Sequence, residues 1–299
     1  MKTAEARTRM PLNNILYLTD FSERSETALP FATSIAREYE SKIYALHVLV
    51  PAIYPYTPPE LFNSAAAAQE ECAENSMQRL TAQLTGLPHE TIVERGGDVW
   101  EALERELKEH DIDLIVLGTH GRTGAAKLLL GSVAEEVFRR SSVPVLTIGP
   151  WAHDKSHNGA GFQRVLFATD FSREAQAAAR FAISLAQEHQ ARLILMHVIP
   201  EHPSDIDRQR NADNVANAMY ELGELIPKEA EWWCQPDTVV EYGNPAQKIL
   251  EVAKQRNADV IVLGIRDASK HMGAAVHLER STAHQVVAHA KCPVLTVRG

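Results

Sequence analysis

Four short segments recur in the same order at a spacing of about 150 residues, and this internal repeat constrains the fold more than any other feature of the chain. Thr19-Asp20-Phe21-Ser22 returns as Thr169-Asp170-Phe171-Ser172, and His47-Val48 returns as His197-Val198 at the end of a similar apolar run. Asp113-Leu-Ile-Val-Leu-Gly118 returns as Asp259-Val-Ile-Val-Leu-Gly264, and Pro144-Val-Leu-Thr147 as Pro293-Val-Leu-Thr296. A period of that length is a whole domain and not a solenoid unit, so the chain reads as one domain duplicated head to tail. At 299 residues each copy is long enough to bury its own core.

Within the first copy, apolar runs at Asn14–Thr19, Lys42–Val50, Glu90–Arg95, Ile112–Gly118 and Val143–Gly149 alternate with longer helical segments at Arg24–Glu40, Pro59–Leu84, Val99–His110 and Val133–Arg140. Most of the runs are continuously apolar, as strands covered on both faces are. Strands alternating with helices predict right-handed βαβ units and a parallel sheet. The expected fold is therefore α/β, with two tandem Rossmann-like domains, each a five-stranded parallel sheet flanked by helices. The stretch from Trp151 to Gly161 reads as a linker, which gives units at 1–150 and 164–299 joined by residues 151–163.

Ligands of such sheets bind beyond the carboxyl ends of the strands, where strand order reverses. After the fourth run the sequence reads Gly118-Thr-His-Gly121-Arg122-Thr-Gly124-Ala-Ala-Lys127-Leu-Leu-Leu-Gly131-Ser132-Val133-Ala-Glu135. Glycines permit tight turns and close approach of a ligand to backbone amides. Ser132 stands as the N-cap of the next helix, with Glu135 completing a capping box. A helix start offers unpaired N–H groups and partial positive charge, both of which favour phosphate. The spacing is neither a Walker loop nor the dinucleotide fingerprint, and the bland alternative is a tight connection into an ordinary capped helix.

Gly118-x-x-Gly121, nine residues, then Gly131-Ser132 resembles the nucleotide-binding signature of the universal stress protein family. Thr19-Asp20-Phe21-Ser22, His47-Val48 and the last strand, Val143-Pro144-Val145-Leu146, are similar to that family as well, so that the chain resembles it once per half. The resemblance implies the adenine nucleotide alpha hydrolase-like version of the fold and an ATP site in the N-terminal half, with Mg²⁺ accompanying the nucleotide. It implies that Asp20 meets the ribose or adenine side, that Val48 faces the adenine, and that Gly118 and Gly121 let the loop approach ribose and phosphates. Gly131, Ser132 and Val133 would hold the phosphates, and Arg122 and Lys127 nearby either offer charge to them or are simply solvated. Asp20 has a rival reading as a helix N-cap. The family's last strand commonly pairs across a dimer. A fused pair would make that contact internally as a pseudo-dimer, with further homodimerisation left open.

In the second half Gly264 persists, but Asp267 replaces Gly121, Arg280 replaces Gly131, and the interval is longer. A carboxylate aimed at a triphosphate repels it, and a side chain blocks the close approach glycine allows. This half is expected not to bind ATP. Asp267 and Arg280 either tie off an empty pocket or, in the sharper reading, Arg280 contacts a different anion. Asp170 is expected to serve a helix start.

The remaining signals bound the function. A net charge of −9 disfavours nucleic acid as a partner. The absence of a leader-like or bilayer-length apolar run points to a cytoplasmic protein with no membrane partner. Cys72, Cys234 and Cys292 suit reduced, buried thiols. His153 and His157 lack companions for a metal site, and His47 and His197 suit structural hydrogen bonds. Trp232-Trp233 follows a helix expected over Asp205–Glu231 and packs beneath it or anchors a partner. Three functions stay open: an ATP-binding stress-response module with at most slow hydrolysis and an unidentified protein partner; a true ATP hydrolase or nucleotidyl transferase using Asp20 or His120; and a nucleotide-independent scaffold.

Overall fold

The computed structural model describes residues 10–50, 59–119, 130–152, 161–200, 208–230, 236–266 and 281–299. The first repeat runs β1 (Asn14–Leu18), α1 (Glu23–Glu26), α2 (Leu29–Tyr39), β2 (Lys42–Leu49), α3 (Pro59–Gln83), β3 (His89–Arg95), α4 (Val99–Glu109), β4 (Leu114–Gly118), α5 (Ser132–Arg140) and β5 (Val145–Ile148). The second follows with β6 (Arg164–Thr169), α6 (Arg173–Glu188), β7 (Arg192–Ile199), α7 (Arg208–Glu224), a 3₁₀ turn (Lys228–Ala230), β8 (Asp237–Tyr242), α8 (Pro245–Gln255), β9 (Val260–Ile265), α9 (Thr282–His289) and β10 (Val294–Arg298).

Among the described residues ten strands form one sheet in the order β3-β2-β1-β4-β5-β10-β9-β6-β7-β8. Within each repeat every pairing is parallel, and strand order reverses between β1 and β4 and between β6 and β9. The repeats join through β5 and β10, which pair antiparallel with Leu146 opposite Leu295. The buried hydroxyls of Thr147 and Thr296 each donate across this seam, to the carbonyls of Val294 (3.1 Å) and Val145 (3.3 Å). The strand that would otherwise be an open edge in each repeat is thus covered by its counterpart, as the internal pseudo-dimer requires.

Alternation along the strands sends side chains to two apolar layers. Ile15, Tyr17, Val116 and Ile148 meet α2 and α3 on one face, and Phe167, Leu195, Val262 and Val297 continue that layer under α6 and α7. Leu16, Leu46, Ile115 and Val145 meet α4 and α5 on the other face, followed by Leu166, Ile194, Ile261 and Val294 under α8 and α9.

Three expectations are corrected. The helix read over Arg24–Glu40 is broken at Thr27-Ala28, because Pro30 sits near the start of α2. Proline lacks an N–H and its ring opposes the carbonyl four residues earlier. The second repeat has Arg180 at the matching place, and its α6 runs unbroken for 16 residues. The helix read over Asp205–Glu231 ends at Glu224, ahead of Pro227, which turns the chain into the 3₁₀ segment. Cys72 is exposed and not buried, whereas Cys292 is half-buried. Cys234, Trp232, Trp233, His153 and His157 lie outside the described residues. Among the described residues no helix is long and apolar enough to cross a membrane.

Candidate nucleotide site

The carboxyl ends of β1 and β4 diverge at the switch point of the first repeat, and the turn after β1 is built by the side chains of its own motif. Thr19 Oγ1 accepts the Phe21 N–H at 3.0 Å and Asp20 Oδ1 accepts the Ser22 N–H at 3.0 Å. Phe21 takes the left-handed conformation at φ 58°, a strained choice for a residue with a Cβ. His47 holds it there: its ring packs against Phe21, tilted by 41° with 4.5 Å between centroids, and its Nδ1 donates to the Thr19 carbonyl at 2.8 Å. Ser22 then caps α1 by accepting the Ser25 N–H. The N-cap is therefore Ser22, and the rival reading of Asp20 as a cap gives way to a turn-forming role one step earlier.

Beneath this turn lies a buried polar cluster. Tyr17 donates its hydroxyl to the Ser25 carbonyl at 3.1 Å, and the hydroxyls of Ser25 and Thr19 lie 3.1 Å apart. Burial pushes the Tyr17 phenol up to about 12, so it stays a hydrogen-bond donor at any physiological pH.

Gly118 ends β4 directly against α1. A Cβ built there would lie 3.0 Å from the Arg24 carbonyl oxygen and 3.2 Å from the Ser25 Cα. The glycine is thus explained by helix packing, a cause that spacing alone did not reveal. At Gly264 the same construction comes within 2.5 Å of the Ala175 nitrogen. This is why that glycine persists in a repeat where Asp267 and Arg280 stand in place of Gly121 and Gly131.

The far wall of the site is the start of α5. Gly131 donates its N–H to the Thr119 carbonyl at 2.7 Å and occupies the N-cap, with Ser132 as the first helical residue. This corrects the reading of Ser132 as the cap: no side chain caps α5. Ser132 is exposed and Val133 half-buried at the helix start, while Val48 is buried near the end of β2 in the layer containing Trp100 and Leu130. The structure thus gathers Asp20, Gly118, Gly131, Ser132 and Val133 around the open ends of β1 and β4. Gly121, Arg122, Lys127 and His120 lie outside the described residues, as do Asp267 and Arg280. Thr19, Ser22, Ser25 and Thr119 also shape the site, and were given no role from sequence although the first two belong to the repeated motif.

The second repeat reproduces the turn. Thr169 Oγ1 accepts the Phe171 N–H, Asp170 Oδ1 accepts the Ser172 N–H, Phe171 has φ 59°, and His197 donates to the Thr169 carbonyl. Burial alone would raise the Asp170 carboxyl, but hydrogen bonds from Ser172, followed by the charge of Arg266 at 3.5 Å, hold it below its ordinary value. The helix starts differ, however. Ser281 caps α9 by accepting the His284 N–H at 3.2 Å, so the donor left without a side-chain acceptor in α5 is satisfied in α9.

The sequence profile described as "Universal stress protein family" matches the chain twice, over residues 11–149 and 161–298. The chain belongs to the universal stress protein family, as a tandem member. Among universal stress proteins similar to it over nearly their whole length, one from Mycolicibacterium smegmatis is 25% identical, the alignment covering 95% of this chain and 96% of the relative. A single-repeat relative from Thermus aquaticus is 36% identical, covering 46% of this chain and 99% of its own. A solved universal stress protein from Archaeoglobus fulgidus has the same fold, with a TM-score of 0.69 at 23% identity, covering 97% of this chain and 98% of the other.

Proposed function

We propose that this tandem universal stress protein binds one ATP, in its N-terminal repeat, and acts in the cytoplasm as a nucleotide-gated binding module. One observation carries the reading: Ser281 caps α9, whereas its counterpart Ser132 is already the first residue of α5 and that helix start has no side-chain cap. Amides at a helix start that lack a side-chain acceptor suit phosphate oxygens, and the helix dipole adds to the attraction. The first-turn amides of α5, with the Ser132 hydroxyl, would take the phosphates. Asp20 would accept from a ribose hydroxyl, Val48 would bound the adenine side, and Gly121, Arg122 and Lys127 would complete the loop. Gly118 contributes by letting α1 close against β4.

Among the described residues no group of His, Cys, Asp and Glu side chains is arranged to hold a metal. Mg²⁺ would therefore arrive on the triphosphate, ligated by phosphate and water, and would supply charge neutralisation. Asp20 Oδ1 is engaged by the Ser22 amide, and no residue is assigned as a general base, so hydrolysis would be slow at most.

The test is to purify the full chain natively, denature it, quantify released nucleotide by mass spectrometry, and titrate the apo protein with ATP by calorimetry. We expect about one ATP per chain, abolished by Gly131→Arg and retained in Asp170→Ala. Absence of both nucleotide and titration heat at millimolar ATP would leave the scaffold in its place. Two ATP per chain would overturn the one-site reading, and turnover lost in Asp20→Ala would establish the hydrolase.

A further inference from the structure

A cavity of about 850 Å³ opens at one end of the seam between the repeats, and among the described residues none of those assigned to the nucleotide lines it. The first repeat contributes Phe31 from α2 and Trp151 from just beyond β5; the second contributes Phe162 ahead of β6 and Leu250 from α8. Its exposed lining is mostly apolar, and Trp151 remains about half exposed, at 54%. A large aromatic left wet beside an apolar hollow is the kind of surface that small-molecule sites present.

The rim sets the charge of what fits. Among the described residues two acids border the cavity, and both are already engaged. Glu251 pairs with Lys248 at 3.1 Å and accepts from the Gln247 amide at 2.8 Å. Asp259 accepts the backbone N–H groups of Gln163 and Arg164, at 3.1 and 2.9 Å, fixing the entry to β6. Lys254 at the end of α8 and Lys291 ahead of β10 are exposed on the same rim, and neither takes part in an ion pair among the described residues. Glu251 is countered by Lys248 and the Asp259 carboxylate is held by backbone amides, so Lys254 and Lys291 are the exposed cations at the mouth, over an apolar floor. We infer that this cavity binds an amphipathic anion, a molecule with an aliphatic or aromatic body and a single carboxylate or sulfonate head held between Lys254 and Lys291.

The inference is independent of nucleotide binding. Its test uses dodecanoate, kept below its micellar concentration, against dodecyltrimethylammonium of the same chain length and opposite charge. Binding to the full chain is followed by calorimetry and by tryptophan fluorescence. We expect saturable binding of one dodecanoate, a fluorescence change lost in Trp151→Phe, and at least a tenfold weakening in Lys254→Glu/Lys291→Glu. That variant changes only exposed side chains and should fold normally, with unchanged circular dichroism, and it should gain affinity for the cationic probe. Equal binding of both probes, no saturation, or indifference to the double charge reversal would overturn the inference.

Discussion

The two repeats share a turn and differ in what supports it. In both, a threonine, an aspartate, a left-handed phenylalanine and a histidine build the bend after the first strand from the same hydrogen bonds. Under the bend, the first repeat buries Tyr17, Thr19 and Ser25 as a polar cluster. The second has Phe167 and Ala175 where Tyr17 and Ser25 stand, and its helix lies closer to the strand-end glycine. The second repeat also caps its α9 and pairs Asp170 with Arg266. Buried polar clusters are costly unless fully satisfied, whereas apolar replacements of similar shape are nearly neutral or better. The comparison teaches that the repeat whose α5 start has no side-chain cap keeps a buried polar cluster beneath its turn, whereas the repeat whose α9 start is capped packs there with apolar side chains.

The contrast can be broken most severely at the strand-end glycines. Gly264→Ala places a methyl against backbone that cannot yield, and should cost about 3 kcal/mol in denaturant unfolding; Gly118→Ala, with more room, should cost about 1 kcal/mol. Equal losses would show that α1 and α6 sit alike. Exchanging the residues beneath the bends comes next. Tyr17→Phe should cost roughly 1 kcal/mol by removing a buried hydrogen bond to the Ser25 carbonyl, which keeps the Ala28 N–H, and Phe167→Tyr roughly 1–2 kcal/mol by forcing a hydroxyl under a helix that lies closer to its strands. At the helix starts, Ser281→Ala should cost about 1 kcal/mol. Ser132→Ala should leave stability within about 0.5 kcal/mol, since its hydroxyl is not a cap.

A pH titration sharpens the asymmetry of the seam. His189 lies at the end of α6 against Phe162, at the place where the first repeat has Tyr39, and burial lowers its pKa despite the opposing charge of Glu38. A histidine that resists protonation when folded contributes fully above its unfolded pKa, near 6.5. That contribution fades as the pH drops from there toward the lowered folded value, because only the unfolded chain takes up the proton. Urea midpoints measured across that window should fall with acid in the wild type and fall less steeply in His189→Phe. The smallest effect is expected at Arg266→Ala, below about 0.5 kcal/mol, because the pair it breaks is exposed.

The strands were legible because buried parallel strands announce themselves as unbroken apolar runs, and the repeat fixed their order twice over. The candidate site was marked only as consecutive runs, Thr19 to Ser22 and Gly131 to Val133, without the roles that Thr19 and Ser22 play in its first turn. It was not legible where the cause lies across the fold. That Gly118 faces Arg24 and Ser25, or that Tyr17 reaches Ser25, depends on how a helix lies over a strand, which no local spacing encodes. The cap of α5 was misplaced by one residue because a serine beside a glycine satisfies the same pattern in either register, and only backbone geometry separates the two. The break at Pro30 was available from the sequence and was overridden by the good helix formers around it.

The β5–β10 pairing also bears on how such a chain responds to dilution and to change. Two separate domains meeting along the same strands would associate only above their dissociation constant. Joined by a short tether, each finds the other at an effective concentration on the order of millimolar, whatever the amount of protein present. Closure of the seam is then independent of protein concentration, and the C-terminal repeat covers its neighbour's sheet edge simply by being folded beside it. Mutations that erase a ligand from one half leave the other half's sheet edge protected.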